Sequence, residues 1–377
     1  MLLDQVKIAI VCDWLTVYGG AERVVYEMHQ LFPKAPIYTS LYNPKACSVF
    51  KDAEVRESRL RWLPFGRYLH RLFLPLMPLA FEQMDLSDFD IVLSSSHSAA
   101  KGVITKPGTL HVSYCHSPMR YVWDHSHEYQ KEYKNFAWLR WIYQPFLHKI
   151  RMWDRLAAER VDVFLANSKY ISRRIEKYYG RESEVIYPPV DLSYFQVSKD
   201  ERSGYVAVGR LIPYKRFDLI VQLCTEKSIP LKVVGTGPEL KRLKAMAGPS
   251  VEFLGLAPAE SLRAAYQGAK ALIFPQVEDF GIVPLEAMAC GTPVLAFGRG
   301  GALETVKDGV SGLFFEAQSA EALEAAVQRF EARTWDPEKV AESVQEFASA
   351  RFKAELRHSL DKAWKAHQSM LGLKHED

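Results

Sequence analysis

Two doubly wound α/β domains, each a mostly parallel sheet with helices on both faces, are predicted by three observations on this sequence. The chain has 377 residues, and at roughly 100–200 residues per domain that length suggests two cores rather than one. Short apolar runs of strand length alternate with segments of helix length. The alternation is interrupted once, at Tyr187-Pro188-Pro189-Val190, and then starts again.

The first series opens with an apolar run over 6–12 that ends at Asp13; Gly19-Gly20 follows, then Val24, Val25, Met28 and Leu31 at helical spacing. This reads as strand, glycine-rich turn, helix. Further buried-strand candidates are 91–93, 112–114, 163–166 and 185–187. Proline restricts its own backbone and that of the residue before it, so Pro188-Pro189 and the polar run 196–204 mark a hinge, placed at 189–203. The second series comprises 205–208, 231–234, 251–254, 271–274, 294–297 and 313–315, and from 320 onward the pattern is helical. The expected domains are 1–188 and 204–355, with a C-terminal helix, 356–377, packing back on the first. Ligands in open α/β sheets sit beyond the carboxyl ends of the strands, so the site is expected in a deep cleft where the two halves face each other.

Composition narrows the class. Hydrophobic content of 48% with 25% charged residues is that of a globular protein, and no run approaches the roughly 18 apolar residues of a membrane-spanning helix. The N-terminus lacks the basic start and small-residue cleavage site of a signal peptide, which leads to the expectation of a cytoplasmic protein. Five cysteines, widely spaced and without a Cys-x-x-Cys pair, indicate neither a disulfide framework nor a zinc ribbon and read as small buried hydrophobes. The net charge of +3 is too small to indicate nucleic acid.

The segment richest in chemistry runs from Glu278 to Val294. A strand ends at Pro275, the loop carries Glu278, and a helix is expected to begin near Pro284 with Glu286 in its first turn. Two carboxylates beside a helix N-terminus could grip hydroxyls next to a diphosphate held by the free N–H groups. Arg210 and Lys215, just past a strand end, are candidate cations for an anionic ligand, because fixed positive charge in a water-poor site is worth far more than in solution. Gly19 and Gly20, before a helix N-terminus, permit close approach of a phosphate. Asp88-Phe89-Asp90 has the form of a metal-binding Asp-x-Asp, but it precedes a buried strand where such a motif should follow one, so it reads as the turn leading into that strand. The histidines between His97 and His127 lack the i, i+4 spacing of a metal hydrolase and read as polar loop residues. No metal site is expected.

The pattern Glu278, seven residues, Glu286, with Phe280-Gly281 between and Cys290-Gly291-Thr292-Pro293-Val294 after, resembles the signature of glycosyltransferase family 4. Gly209-Arg210-Leu211 with Pro213 and Lys215, Gly235-Thr236-Gly237-Pro238, and Gly300-Gly301 with Glu304 resemble that family's other donor-side motifs in order and spacing. In the first half, Asp13-Trp14-Leu15, Gly19-Gly20-Ala21-Glu22 and 114–121 resemble the branch containing O-antigen mannosyltransferases. The resemblance implies a GT-B fold of two Rossmann-like domains and retaining, metal-independent transfer of a hexose. It implies a nucleotide-diphosphate donor, GDP-mannose in preference to UDP-sugars, and a glycan or polyprenyl- or other lipid-linked acceptor in cell-surface polysaccharide or glycolipid synthesis. By the same resemblance, Glu278 with backbone N–H groups around Phe280, Gly281 and Ile282 holds the donor sugar and Glu286 the ribose. Arg210, Lys215 and Gly237 lie at the diphosphate, and His116 faces the sugar. A phosphate oxygen takes the acceptor's proton, so no side chain is assigned as nucleophile. A nucleotide-sugar epimerase of the same architecture and a non-catalytic nucleotide-sugar or membrane-binding module are the alternatives.

Two basic stretches interleaved with aromatics, 59–78 and 131–155, are expected either to pack as ordinary helices or to lie on anionic lipid at the inner face of the plasma membrane.

Overall fold

In the computed structural model, residues 3–62, 74–124 and 137–372 are described. The chain divides into two compact units, Met1–Pro189 with Phe352–Asp377, and Val190–Arg351. The first boundary thus falls at the prolines, and the segment read as a hinge belongs almost wholly to the second unit.

The first unit is built on a seven-stranded parallel sheet in the order β3-β2-β1-β4-β5-β6-β7, comprising β1 (Ile8–Cys12), β2 (Ile37–Thr39), β3 (Val55–Glu57), β4 (Ile91–Ser96), β5 (Leu110–Cys115), β6 (Val163–Ala166) and β7 (Glu184–Val185). Alternate residues of β1 enter different cores: Ile8, Ile10 and Cys12 one, Ala9 and Val11 the other. This two-sided burial explains why the run reads as continuously apolar. Helix α1 (Gly20–Leu31) contributes Val24, Val25 and Met28 to the first core, and the C-terminal helix Ser349–Met370 lays Phe352, Leu356, Leu360 and Trp364 on it. β2 and β3, absent from the sequence reading, are three residues each. Asp90 accepts a hydrogen bond from the Lys7 N–H (2.9 Å) at the start of β4, so Asp88-Phe89-Asp90 is a turn leading into a strand.

A buried ion pair fixes one face of this unit. Lys101 Nζ meets Asp154 Oδ1, and Asp154 Oδ2 accepts hydrogen bonds from Trp123 Nε1 and Tyr179 OH, both at 2.8 Å. Removing one member of such a pair leaves an uncompensated buried charge, at a cost of about 3–5 kcal/mol. His111, also fully buried, shares a 2.9 Å hydrogen bond between Nε2 and Ser94 Oγ. Burial, with Arg160 nearby, pushes its pKa down to about 3. The unfolded chain therefore binds a proton that the native one refuses between about pH 6.5 and 3, and stability falls as pH is lowered through that window. Between pH 7 and 5 the wild-type first unit should lose about 2 kcal/mol more than His111→Gln. Calorimetric scans at the two pH values check this, and equal slopes would remove His111 as the acid-sensitive group.

The second unit is a six-stranded parallel sheet in the order β10-β9-β8-β11-β12-β13, from β8 (Tyr205–Val208), β9 (Leu231–Val234), β10 (Val251–Gly255), β11 (Ala271–Phe274), β12 (Val294–Phe297) and β13 (Gly312–Phe315). Tyr205, Ala207, Leu231, Val233, Ala271, Ile273, Leu295, Phe297, Leu313 and Phe315 form one face of its core, against Phe217, Ile220 and Cys224 of one helix and Leu323, Ala326 and Phe330 of another. In both sheets the strand order reverses between two neighbours, β1/β4 and β8/β11. The crevice beyond the carboxyl ends at such a point is where open α/β sheets take ligands.

All five cysteines are buried and free, as the sequence reading expected. Burial pushes the thiols of Cys47, Cys224 and Cys290 up to about 12, which makes them packing residues rather than nucleophiles. Among the described residues no helix is long and apolar enough to cross a membrane. Of the two basic-aromatic stretches, 63–73 and 125–136 and the side chains of 137–143 lie outside the described residues. In the rest, Trp62 is 74% exposed with the Arg61 guanidinium 4.8 Å from its ring centre. Arg151 donates its Nε–H to Val122 O (2.6 Å) and lies over Trp123, so it is partly engaged inside the unit.

Candidate active site

At the switch point of the second sheet, β8 ends at Val208 and gives way to Gly209 and Arg210, whose side chain is exposed. Leu211 donates its N–H to Thr236 O (2.9 Å), tying this loop to the one after β9. The two loops touch at Gly237, where an added Cβ would stand 2.2 Å from Leu211 O; only glycine permits that approach. Pro213–Lys215 then forms a single 3-10 turn that turns Lys215 back over the strand end.

β11 ends at Phe274, and the loop that follows carries Glu278. Glu278 Oε1 lies 3.0 Å from Lys215 Nζ, with the two side chains 19% and 14% exposed. The contact is an ion pair without hydrogen-bond geometry, and Oε1 has no hydrogen-bond partner among the described residues. Gln276, 1% exposed, has neither amide atom hydrogen-bonded. One short loop thus holds two largely buried polar groups with unused bonding capacity, a condition that folded proteins keep where a ligand or water completes the set.

Helix α2 (Ile282–Ala289) begins after Gly281, which adopts φ +91°. The sequence reading started it near Pro284 and put Glu286 in its first turn. The turn at Gly281 starts it two residues earlier, so Pro284 is its third residue, where the missing N–H still costs nothing. Glu286 is the fifth, 3% exposed, and its Oε2 accepts a 2.9 Å hydrogen bond from Tyr266 OH. Phe280 is buried against Phe347, and the Gly301 N–H donates to Glu278 O (2.9 Å). Arg202 holds the far end of the helix through Cys290 O (2.6 Å) and Thr292 Oγ1. Neither Tyr266 nor Arg202 was singled out from the sequence, and neither sits in a motif that would have marked it.

In the first unit, Gly19 and Gly20 open α1 as expected. The Gly19 N–H, however, already donates to Glu22 Oε2 (3.0 Å), half of a capping box, so a phosphate here would compete with a carboxylate. Glu22 is largely buried, and burial raises its pKa, opposed by His97. His116, following β5, shares a 2.8 Å hydrogen bond between Nε2 and Ser95 Oγ. Of the residues expected to bind the donor, Arg210, Lys215, Gly237, Glu278, Phe280, Gly281, Ile282 and Glu286 belong to the second unit; Gly19, Gly20 and His116, also expected at the site, belong to the first. Among the described residues, no three His, Cys, Asp or Glu side chains are grouped to hold a metal ion.

Residues 18–194 match the model of Glycosyltransferase Family 4, and 194–349 that of Glycosyl transferases group 1. A GDP-mannose-dependent alpha-(1-6)-phosphatidylinositol monomannoside mannosyltransferase of Mycolicibacterium smegmatis is 34% identical over 198 residues, 44% of this chain and 52% of that protein. A D-inositol 3-phosphate glycosyltransferase of Geodermatophilus obscurus is 32% identical over 214 residues, 48% of this chain and 47% of that protein. The chain thus spans about half the length of the curated relatives it matches. Among solved structures, Anabaena HepE in complex with UDP has a TM-score of 0.70 at 17% identity, over 94% of this chain and 100% of that one. A sucrose-phosphate synthase from Thermosynechococcus elongatus gives 0.71 at 19%, over 96% and 100%. These likenesses establish the fold, two Rossmann-like domains of GT-B type. With the two family models covering the chain from residue 18 to residue 349, the chain belongs to glycosyltransferase family 4.

Proposed function

We propose that this chain transfers a hexose, mannose from GDP-mannose, to a glycan or lipid-linked acceptor with retention of anomeric configuration and without a metal ion. The observation that carries this is the meeting of Lys215 with Glu278, 3.0 Å apart at the switch point of the second sheet. A cation for the leaving diphosphate and a carboxylate for the sugar stand side by side where the two halves of a sugar nucleotide join. Arg210 and Lys215 neutralise the charge that builds on the diphosphate, the role a metal fills elsewhere. Glu278 and the N–H groups around Phe280, Gly281 and Ile282 hold the sugar, and Glu286 the ribose.

Mannose and GDP are favoured because matched relatives include GDP-mannose-dependent enzymes, among them an alpha-mannosyltransferase of Corynebacterium glutamicum that is 32% identical over 110 residues, 29% of this chain and 26% of that protein. A phosphatidylinositol-linked acceptor in one relative favours a lipid-linked acceptor here. Exposed Trp62 and Met152 within the basic-aromatic stretches suit association with the surface of an anionic membrane.

A thermal-shift comparison of GDP, UDP and their sugars tests the donor, because stabilisation grows as RT ln(1 + [L]/Kd). GDP and GDP-mannose should give the largest shifts. Consumption of GDP-mannose should continue in excess chelator with no divalent ion added. Turnover that stops in chelator and returns with manganese would overturn the charge assignment, and isomerised nucleotide sugar as product would make the chain an epimerase.

A further inference from the structure

A second constellation, separate from the Lys215–Glu278 pair, stands at the switch point of the first sheet. The Asp13 carboxylate, fully buried just past β1, accepts N–H bonds from His97 (2.7 Å) and Ser98 (2.9 Å) at Oδ2 and from Ala100 (2.7 Å) at Oδ1. Its Oδ2 also lies 3.0 Å from His97 Nδ1. The turn after β4 is held from the other side as well, since Lys101, locked to Asp154, donates to Ser98 O (3.1 Å). The His97 ring packs edge-on against Trp14, 4.5 Å between centroids, and stands 6.3 Å from His116.

An ionised carboxylate only accepts, so the Asp13 contact draws the proton of a neutral imidazole to Nδ1 and leaves Nε2 with its lone pair. Nε2 makes no hydrogen bond among the described residues, and the His97 side chain is 30% exposed while its orienting carboxylate is wholly buried. A fixed, partly exposed ring with an accepting nitrogen makes a site for an alcohol, and a packed turn carrying this much orienting structure is the kind of support that precise placement requires.

We infer that His97, oriented by Asp13, binds a hydroxyl of the acceptor, a sugar or other polyol, through Nε2, with Asp13 as a positioning residue. The inference rests on the transferase reading above and adds where the acceptor alcohol is held. The test compares wild type, His97→Phe, His97→Gln, Asp13→Asn and the Asp13→Asn/His97→Phe pair. GDP-mannose is the donor and octyl α-mannoside the probe acceptor, and GDP and mannoside binding are measured by calorimetry. Loss of one hydrogen bond of this kind is expected to lower kcat/KM for the mannoside about tenfold in His97→Phe, with GDP Kd within about twofold of wild type. His97→Gln, which can still offer an acceptor atom, should recover part of the loss. Asp13→Asn should cost less transfer in the His97→Phe background than alone, because its effect runs through the ring. Equal mannoside binding by wild type and His97→Phe, absence of binding to both included, overturns the assignment. So does a parallel loss of GDP affinity, which would make His97 a donor or folding residue. Wild type that neither binds GDP nor consumes GDP-mannose overturns the transferase reading instead.

Discussion

Glu278→Ala is expected to lower kcat by about 10²–10³ while leaving GDP affinity intact or improved. The loss is that of a hydrogen bond which strengthens as the sugar acquires positive charge. The second half follows from the ion pair: Glu278 now partners Lys215 at 3.0 Å, and its removal releases that ammonium to the diphosphate. Lys215→Ala should weaken GDP directly, and in that background Glu278→Ala should bring no gain in GDP affinity, because the gain comes from the released ammonium. Calorimetric titration with GDP beside single-turnover rates checks both halves. A Glu278→Ala variant that loses GDP affinity as well as rate would place this carboxylate at the nucleotide rather than the sugar.

Glu286→Ala should raise donor KM and weaken free GDP by about 1–3 kcal/mol, the scale of a lost hydrogen bond to a charged group, with little change in kcat. The ribose is chemically the same in the ground and transition states, so its ligand supplies uniform binding. The structure adds a control: Glu286 accepts from Tyr266 OH at 2.9 Å and is nearly inaccessible, so truncation also strips a buried hydroxyl of its partner. Tyr266→Phe removes that hydroxyl and leaves the carboxylate. It should lower the melting temperature slightly and shift GDP affinity by less than Glu286→Ala. Equal losses of affinity in the two variants would mean that Glu286 acts by shaping the helix and not by touching the ribose.

The parallel sheets were legible because each strand buried on both faces leaves an unbroken apolar run, as in 205–208 and 271–274, and the glycines between runs mark where loops must approach one another. β2 and β3 were not, because three residues are too few to show a period. The donor loop was legible as a motif, yet its helix was started two residues late: Pro284 is an ordinary marker of a first turn, and nothing in the sequence announces that Gly281 takes a positive φ. The pairing of Lys215 with Glu278 and of Asp13 with His97, 84 residues apart in the second case, joins loops that only the strand order brings together. Arg202 and Tyr266 lie outside any recognisable pattern for the same reason: their partners, Cys290 O and the Glu286 carboxylate, are remote in sequence.

The close packing of the turn at Gly301 against the Glu278 loop bears on how this protein tolerates change. A Cβ at Gly301 would lie 2.4 Å from Phe280 Cα, and the Gly301 N–H already holds Glu278 O. The loops after β11 and β12 are consequently one mechanical part, and drift in either must be matched in the other. A side chain introduced at residue 301 would push the Glu278 loop aside, so damage at this glycine is expected to resemble loss of Glu278 in a rate measurement although Glu278 itself is unchanged.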